Sequence, residues 1–135
     1  MNNPNYKLIK KQIFSITNKD SLIENKGVLI TSTERALIEM ADLVPKQATF
    51  EEFVKIMELC AGSRPTLVQE LLINCTAVKA KRIFLMVAEY VNHPWFKKLD
   101  ISKIDLGKGD RQIVKNGTYN KKYKICVPNI NHYEL

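Results

Sequence analysis

Basic and aromatic side chains lie close together in the second half of this 135-residue chain, and that combination can bind nucleic acid. Cations beside exposed aromatic rings can hold a phosphate backbone while the rings stack on bases. The alternative, which we favour for Phe96 and Leu99, is that the aromatic and apolar residues belong to the core and the lysines form a solvated rim. The candidate residues of a surface for a partner or a nucleic acid are Lys79, Lys81, Arg82, His93, Trp95, Lys97, Lys98, Lys121, Lys122 and Tyr123.

The net charge of +7 lies entirely in the second half of the chain. Residues 1–75 hold nine Lys/Arg and nine Asp/Glu, whereas residues 76–135 hold twelve Lys/Arg and five Asp/Glu. Such a one-sided excess produces a positive field that attracts a polyanion or an acidic protein. It is also compatible with a face that serves only solubility.

Catalytic and metal chemistry have little support in the sequence. The two histidines are His93, before a proline at a predicted helix end, and His132, near the C-terminus, and no further ligands at metal-site spacing accompany them. Residues 107–110 read Gly-Lys-Gly-Asp but lack the strand–loop–helix setting of a phosphate-binding loop. We therefore predict no catalytic residue, no metal and no cofactor, and an enzyme with an unrecognised site is the less favoured alternative.

The composition is that of a folded domain, with 45% hydrophobic and 26% charged residues. The three cysteines are widely spaced and odd in number, which argues against a disulfide framework and a zinc site. Cys60 and Cys75 fall on apolar helix faces, where free thiols pack as small hydrophobic groups. No long apolar run and no apolar N-terminal segment are present, so we expect a cytoplasmic protein.

Hydrophobic periodicity predicts strands followed by four helices. Strands are expected at residues 6–16 and 27–30, with a turn between them. The first two helices have capping boxes, with Thr31 and Thr49 as N-caps, and Pro45 and Gly62 end them. The third helix has Pro65 in its first turn, and the fourth, at residues 76–91, is expected to be the most buried.

Two further short strands are predicted at residues 112–114 and 122–127, on either side of an Asn116-Gly117 turn. The whole pattern predicts one α+β domain over residues 1–128. In that domain a four-helix cluster packs on a small, mostly antiparallel sheet formed by the N- and C-terminal strands. Residues 129–135 are predicted to be a disordered tail.

Several blocks of this sequence resemble, in order, the C-terminal domain of AbiEi-family antitoxins. Those proteins belong to bacterial abortive-infection, type IV toxin–antitoxin systems. The resemblance extends over roughly residues 28–128. The blocks are Ile-Thr-Ser-Thr-Glu-Arg-Ala-Leu-Ile-Glu-Met-Ala-Asp-Leu-Val-Pro from residue 30, Pro-Thr-Leu-Val-Gln-Glu-Leu-Leu from 65, Val-Lys-Ala-Lys-Arg-Ile-Phe-Leu from 78, His-Pro-Trp-Phe-Lys-Lys-Leu-Asp from 93 and Lys-Lys-Tyr-Lys-Ile-Cys-Val-Pro from 121.

The resemblance implies a non-enzymatic regulator that counteracts a nucleotidyltransferase-type toxin, with or without a stable complex. Family members also repress their own operon through an N-terminal winged helix. That domain is not expected here, because the first predicted strand follows Met1 almost at once. A truncated gene product, a stand-alone module and an expressed fragment all fit this pattern. The alternative function is a nucleic-acid-binding transcriptional regulator that uses the basic C-terminal half.

Overall fold

The fold is described by a computed structural model at residues 13–15, 22–25 and 28–129. Within these ranges, four α-helices accompany short strands, which confirms the predicted α+β class. Two short 3₁₀ helices, η1 (Pro94–Lys98) and η2 (Ile101–Lys103), follow the last α-helix. The other elements are β1 (Leu22–Asn25), β2 (Val28–Thr31), α1 (Thr33–Leu43), α2 (Phe50–Glu58), α3 (Pro65–Asn74), α4 (Val78–Val91), β3 (Arg111–Gln112), β4 (Thr118–Asn120) and β5 (Ile125–Val127).

Local sequence explains where α2 and α3 begin. The backbone N–H of Glu52 donates to Thr49 Oγ1 at 3.0 Å, and the N–H of Thr49 donates to Glu52 Oε1 at 2.8 Å. This reciprocal pair is the predicted capping box. Pro65 occupies the first turn of α3, where a missing N–H costs no helical hydrogen bond.

The N-terminus of α1 lies one residue later than predicted. Ser32 rather than Thr31 is the N-cap, and its Oγ accepts the backbone N–H of Arg35 at 3.2 Å. Glu34 therefore occupies the second helical position, and its buried carboxylate binds Arg64 instead of closing a capping box. The start of α1 is thus attached to the residue that precedes α3.

The core lies where the four helices meet, and α4 is its central element. Every residue of α4 from 80 to 88 is buried, as predicted for the fourth helix. Phe53 and Met57 of α2 and Leu71 of α3 are completely buried in the same core. Cys60 and Cys75 are buried free thiols, which confirms their predicted packing role.

The described strands form two separate sheets, whereas we predicted one sheet shared by the chain ends. β1 and β2 form an antiparallel hairpin, and β1 occupies part of the segment predicted as a turn. The second sheet has the order β3-β5-β4, with β3 parallel and β4 antiparallel to β5. The choice between these pairings depends on tertiary contacts, which a hydrophobic pattern does not specify. Of the strand predicted at residues 6–16, only residues 13–15 are described, and Phe14 among them forms an isolated bridge with Cys75.

The C-terminal hairpin is displaced from its predicted position. Its connection lies between β4 and β5 and places Lys124 at φ 53°. Gly117 serves a different purpose, because a Cβ at that position would overlap the carbonyl oxygen of Val127. The glycine therefore permits a close approach of two backbone segments. The predicted tail lies outside the described residues apart from Asn129.

None of the described helices is both long enough and apolar enough to cross a membrane.

Candidate functional site

Arg82 is held inside the protein and does not belong to the candidate surface. Its side chain is almost completely buried, with the residue 1% exposed. The guanidinium donates to the carbonyl oxygens of Leu106 at 2.8 Å, Gly109 at 2.7 Å and Lys124 at 3.1 Å. These bonds attach α4 to the loop before β3 and to the turn before β5. Arg82 therefore fixes the position of both segments relative to α4.

The lysines at the start of α4 are also withdrawn from the surface. Lys79 is half-buried, and its Nζ donates to the carbonyl oxygen of Val44 at 2.9 Å, just after α1. Lys81 is only 3% exposed. The basic cluster that the sequence suggests at the start of α4 therefore packs against the fold, and it offers little charge to a partner.

His93 and Trp95 fix the corner after α4. The carbonyl oxygen of Met57 lies 2.9 Å from His93 Nε2, and Trp95 Nε1 donates to the carbonyl oxygen of Cys60 at 2.9 Å. The Trp95 ring is buried, with its centroid 6.0 Å from that of Phe84. Both side chains satisfy carbonyls at the end of α2, which agrees with the core alternative stated above.

Four predicted lysines remain available to a partner. Lys97 and Lys98 are exposed on η1, and Lys121 and Lys122 are exposed between β4 and β5. Tyr123, in contrast, is 2% exposed and belongs to the core. The structure thus divides the predicted surface into internal side chains and two small exposed groups on different elements.

The strongest concentration of charge surrounds the C-terminal sheet. Residues 106–129, which we call the basic sheet, hold six Lys/Arg and only one acidic residue, Asp110. Arg111 is half-buried and the five lysines are exposed. A charge count along a short sequence window would have found the four cations that our site prediction missed. The six cations are Lys108, Arg111, Lys115, Lys121, Lys122 and Lys124.

A groove of about 310 Å³ separates α4 from the basic sheet. Its lining combines apolar atoms with hydroxyl, amide, carboxylate and ammonium groups. Tyr119 is 48% exposed, and its hydroxyl donates to Asp110 Oδ1 at 2.7 Å. Six of the lining residues are Met86, Glu89, Tyr119, Asn120, Lys122 and Tyr123.

Glu89 is the charged centre of this groove. Its Oε1 accepts the Tyr123 hydroxyl at 2.7 Å and lies 3.0 Å from Lys122 Nζ. Burial alone would raise the pKa of Glu89, but the bonds from Tyr123 and Lys122 outweigh it and lower that pKa. Burial, and then the bond to Glu89, raise the pKa of Tyr123. At neutral pH the groove is therefore lined by a carboxylate and a protonated phenol, and both groups can form hydrogen bonds.

A second cavity, of about 370 Å³, lies at the N-terminus of α1. Arg64 donates to Glu34 through its backbone N–H at 2.8 Å and through Nε and Nη2 at 3.1 Å. Burial and the nearby Glu34 charge raise the pKa of the Cys60 thiol, so it is a poor nucleophile. The described part of the chain contains no group of three His, Cys, Asp or Glu residues placed to hold a metal ion.

Comparison with known proteins gives one match. A family model described as "Transcriptional regulator, AbiEi antitoxin, Type IV TA system" matches residues 2–128. That range begins well before the blocks that carry the sequence resemblance, and it includes the basic sheet up to Pro128. No curated protein and no solved structure was found to match the chain.

Proposed function

Because the chain belongs to the AbiEi antitoxin family of type IV toxin–antitoxin systems, we propose that it counteracts a nucleotidyltransferase-type toxin of its own system. The proposed action is non-enzymatic and uses the basic sheet. A nucleotidyltransferase uses a polyanionic nucleotide, and a nucleic-acid acceptor would be a polyanion as well. A protein that occupies such an acceptor can antagonise the toxin without forming a stable complex with it.

The observation that carries this proposal is the exposed charge of the basic sheet. Five exposed lysines and one half-buried arginine surround a single acidic residue. The carboxylate of Asp110 already accepts the Tyr119 hydroxyl. Because positive charge is concentrated on one small sheet, a polyanion is attracted to that sheet more strongly than to residues 1–75, whose charges sum to zero.

Co-expression with the toxin of the same system tests the proposal. We expect the wild-type chain to restore growth and the double variant Lys121→Glu/Lys122→Glu to fail. The matched control is Lys46→Glu/Lys55→Glu, which makes the same charge change at exposed positions outside the basic sheet. Lys55 pairs with Glu51 at 3.2 Å much as Lys122 pairs with Glu89, so the control also breaks one exposed ion pair.

Circular dichroism and thermal unfolding must show that both double variants fold. If folded wild-type protein does not restore growth, the antitoxin assignment is overturned. If both double variants restore growth equally well, the antitoxin role remains and the assignment to the basic sheet is overturned.

A second candidate function is nucleic-acid binding by the same sheet, as part of transcriptional regulation. The specific observation in its favour is the half-exposed ring of Tyr119 among the lysines. The family description names a transcriptional regulator as well. Exposed rings beside cations are typical of surfaces that hold unpaired strands.

The salt dependence of binding tests this second function. For a protein that neutralises phosphates, the logarithm of the binding constant falls linearly with the logarithm of salt concentration. Lys121→Ala/Lys122→Ala should reduce the slope by about 2, because each lost phosphate contact removes about one unit. Lys79, Lys81 and Arg82 are unsuitable for this test, since they contact the interior of the fold. An unchanged slope would overturn phosphate binding by this turn.

A further inference from the structure

We propose that the groove between α4 and β4 holds one unpaired RNA base that carries an exocyclic amino group, while Lys121 and Lys122 bind the adjoining phosphates. This inference rests on the proposed function of the basic sheet as a polyanion-binding surface. It adds the chemical identity of the ligand and a site for it.

The size of the groove suits one base with its sugar. Its volume of about 310 Å³ lies at the lower end of the range of small-ligand sites. A base paired within a duplex cannot enter such a groove, whereas bases in RNA loops and ends are available to side chains. The hydroxyl of Thr118 and the amide of Asn120 also line the groove. Groups of this kind can hydrogen-bond to a ribose 2′-hydroxyl, which DNA lacks.

Tyr119 provides a stacking surface whose position is already fixed. The bond from its hydroxyl to Asp110 Oδ1, at 2.7 Å, holds the ring while 48% of the residue stays exposed. Because the side chain is ordered before the ligand arrives, less conformational entropy is lost on binding. Stacking on such a ring tolerates any base, so Tyr119 explains affinity and leaves selectivity to the polar groups.

Glu89 and Asn120 present a complementary acceptor and donor. Glu89 Oε1 accepts both Tyr123 and Lys122, and within the described part of the chain no hydrogen bond uses Glu89 Oε2. Asn120 Oδ1 accepts the backbone N–H of Tyr123 at 2.9 Å, so its amide nitrogen is the group left to donate. Cytosine and adenine carry an amino donor beside an acceptor, whereas uracil carries no amino group.

The experiment measures binding of fluorescein-labelled RNA octamers of cytosine, adenine and uracil, and of a cytosine DNA octamer, to the whole chain at one salt concentration. We expect the cytosine and adenine RNA strands to bind at least about fivefold more tightly than the uracil strand. Glu89→Gln keeps an oxygen for Tyr123 but removes the carboxylate, and it should bring that ratio close to one. Tyr119→Ala should weaken all three RNA strands by about fivefold or more.

Two further variants separate this inference from the proposed function. Lys121→Glu/Lys122→Glu should lose all RNA binding, while Lys46→Glu/Lys55→Glu should retain it. Equal binding of the three RNA strands, or a ratio unchanged in Glu89→Gln, would overturn the base site while the basic-sheet proposal stands. Equal binding of the DNA strand would overturn the assignment to RNA. A wild-type chain that restores growth but binds no RNA would overturn this inference and leave the antitoxin role intact.

Discussion

The Arg82 guanidinium donates to the carbonyl oxygen of Lys124 at 3.1 Å, although 42 residues separate the two. Lys124 has a left-handed backbone conformation, with φ 53°. This conformation is unusual for a residue with a side chain, and the buried cation of α4 stabilises the turn that adopts it. The exposed lysines of the turn are therefore positioned by Arg82, whose side chain is almost completely buried.

Replacing Arg82 with methionine should destabilise the fold by about 1–3 kcal/mol, because the carbonyl oxygens of Leu106 and Gly109 lose the donor that Arg82 provides, while that of Lys124 keeps the backbone N–H of Arg111. Urea unfolding followed by circular dichroism measures the change. Lys97→Met removes an exposed cation and is the control, with an expected effect within about 0.5 kcal/mol. Equal stability of the two variants would show that Arg82 does not hold the basic sheet.

The Glu34–Arg64 pair should make stability depend on pH. Burial alone would raise the pKa of Glu34, but hydrogen bonds from Arg64 outweigh it and lower the pKa in the folded state. The pair therefore contributes fully above the unfolded pKa of about 4.3, and its contribution is lost as pH falls through the lower folded pKa. Glu34→Gln should destabilise by about 1–3 kcal/mol at neutral pH and by progressively less in acid.

Unfolding in urea at about pH 6.5 and about pH 3 measures this effect as the difference between wild type and variant, because other carboxylates contribute equally to both proteins. Glu58→Gln alters an exposed carboxyl group of α2 and serves as the control. A Glu34→Gln penalty that is larger in acid than near neutral pH would contradict the argument.

Trp95→Phe should cost about 0.5–1.5 kcal/mol, because the carbonyl oxygen of Cys60 loses the indole N–H and keeps only the two donors of Ser63. Circular dichroism is the appropriate probe, since the substitution removes the single tryptophan of the chain. Lys98→Ala, at the exposed end of η1, should leave stability almost unchanged. If Trp95→Phe were as stable as wild type but unable to restore growth, Trp95 would be a binding residue and the structural assignment would be wrong.

Gly117→Ala should disturb the basic sheet, because the new Cβ would overlap the carbonyl oxygen of Val127. Strain of this kind typically costs about 1–3 kcal/mol. Gly62→Ala is the matched control, since a Cβ there meets no atom within 4 Å. Hydrogen exchange of the β4 and β5 amides should accelerate in the first variant only. Unchanged exchange in Gly117→Ala would show that the backbone moves aside at little cost.

Features governed by neighbouring residues were predictable from the sequence. The capping box of Thr49 and Glu52 and the position of Pro65 depend on contacts within a single helical turn. The burial of α4 follows from its run of apolar side chains, because a helix that is apolar on most of its faces is stable only in the core of a domain. The family assignment also came from short ordered blocks, and the match over residues 2–128 agrees with it.

Exposure of charged residues was decided only by the tertiary structure. The sequence has a cluster of basic residues at the start of α4 and another before β5, and nothing local distinguishes the two. In the structure, however, Arg82 is 1% exposed and Lys122 lies at the surface. The difference arises because carbonyl groups 24 to 42 residues away meet the Arg82 guanidinium in the folded chain. No local pattern reports such partners, since a buried cation is stable only where distant acceptors converge on it. The sequence determined the helices, the family and the sign of the charge, and tertiary packing decided which cations a ligand can reach.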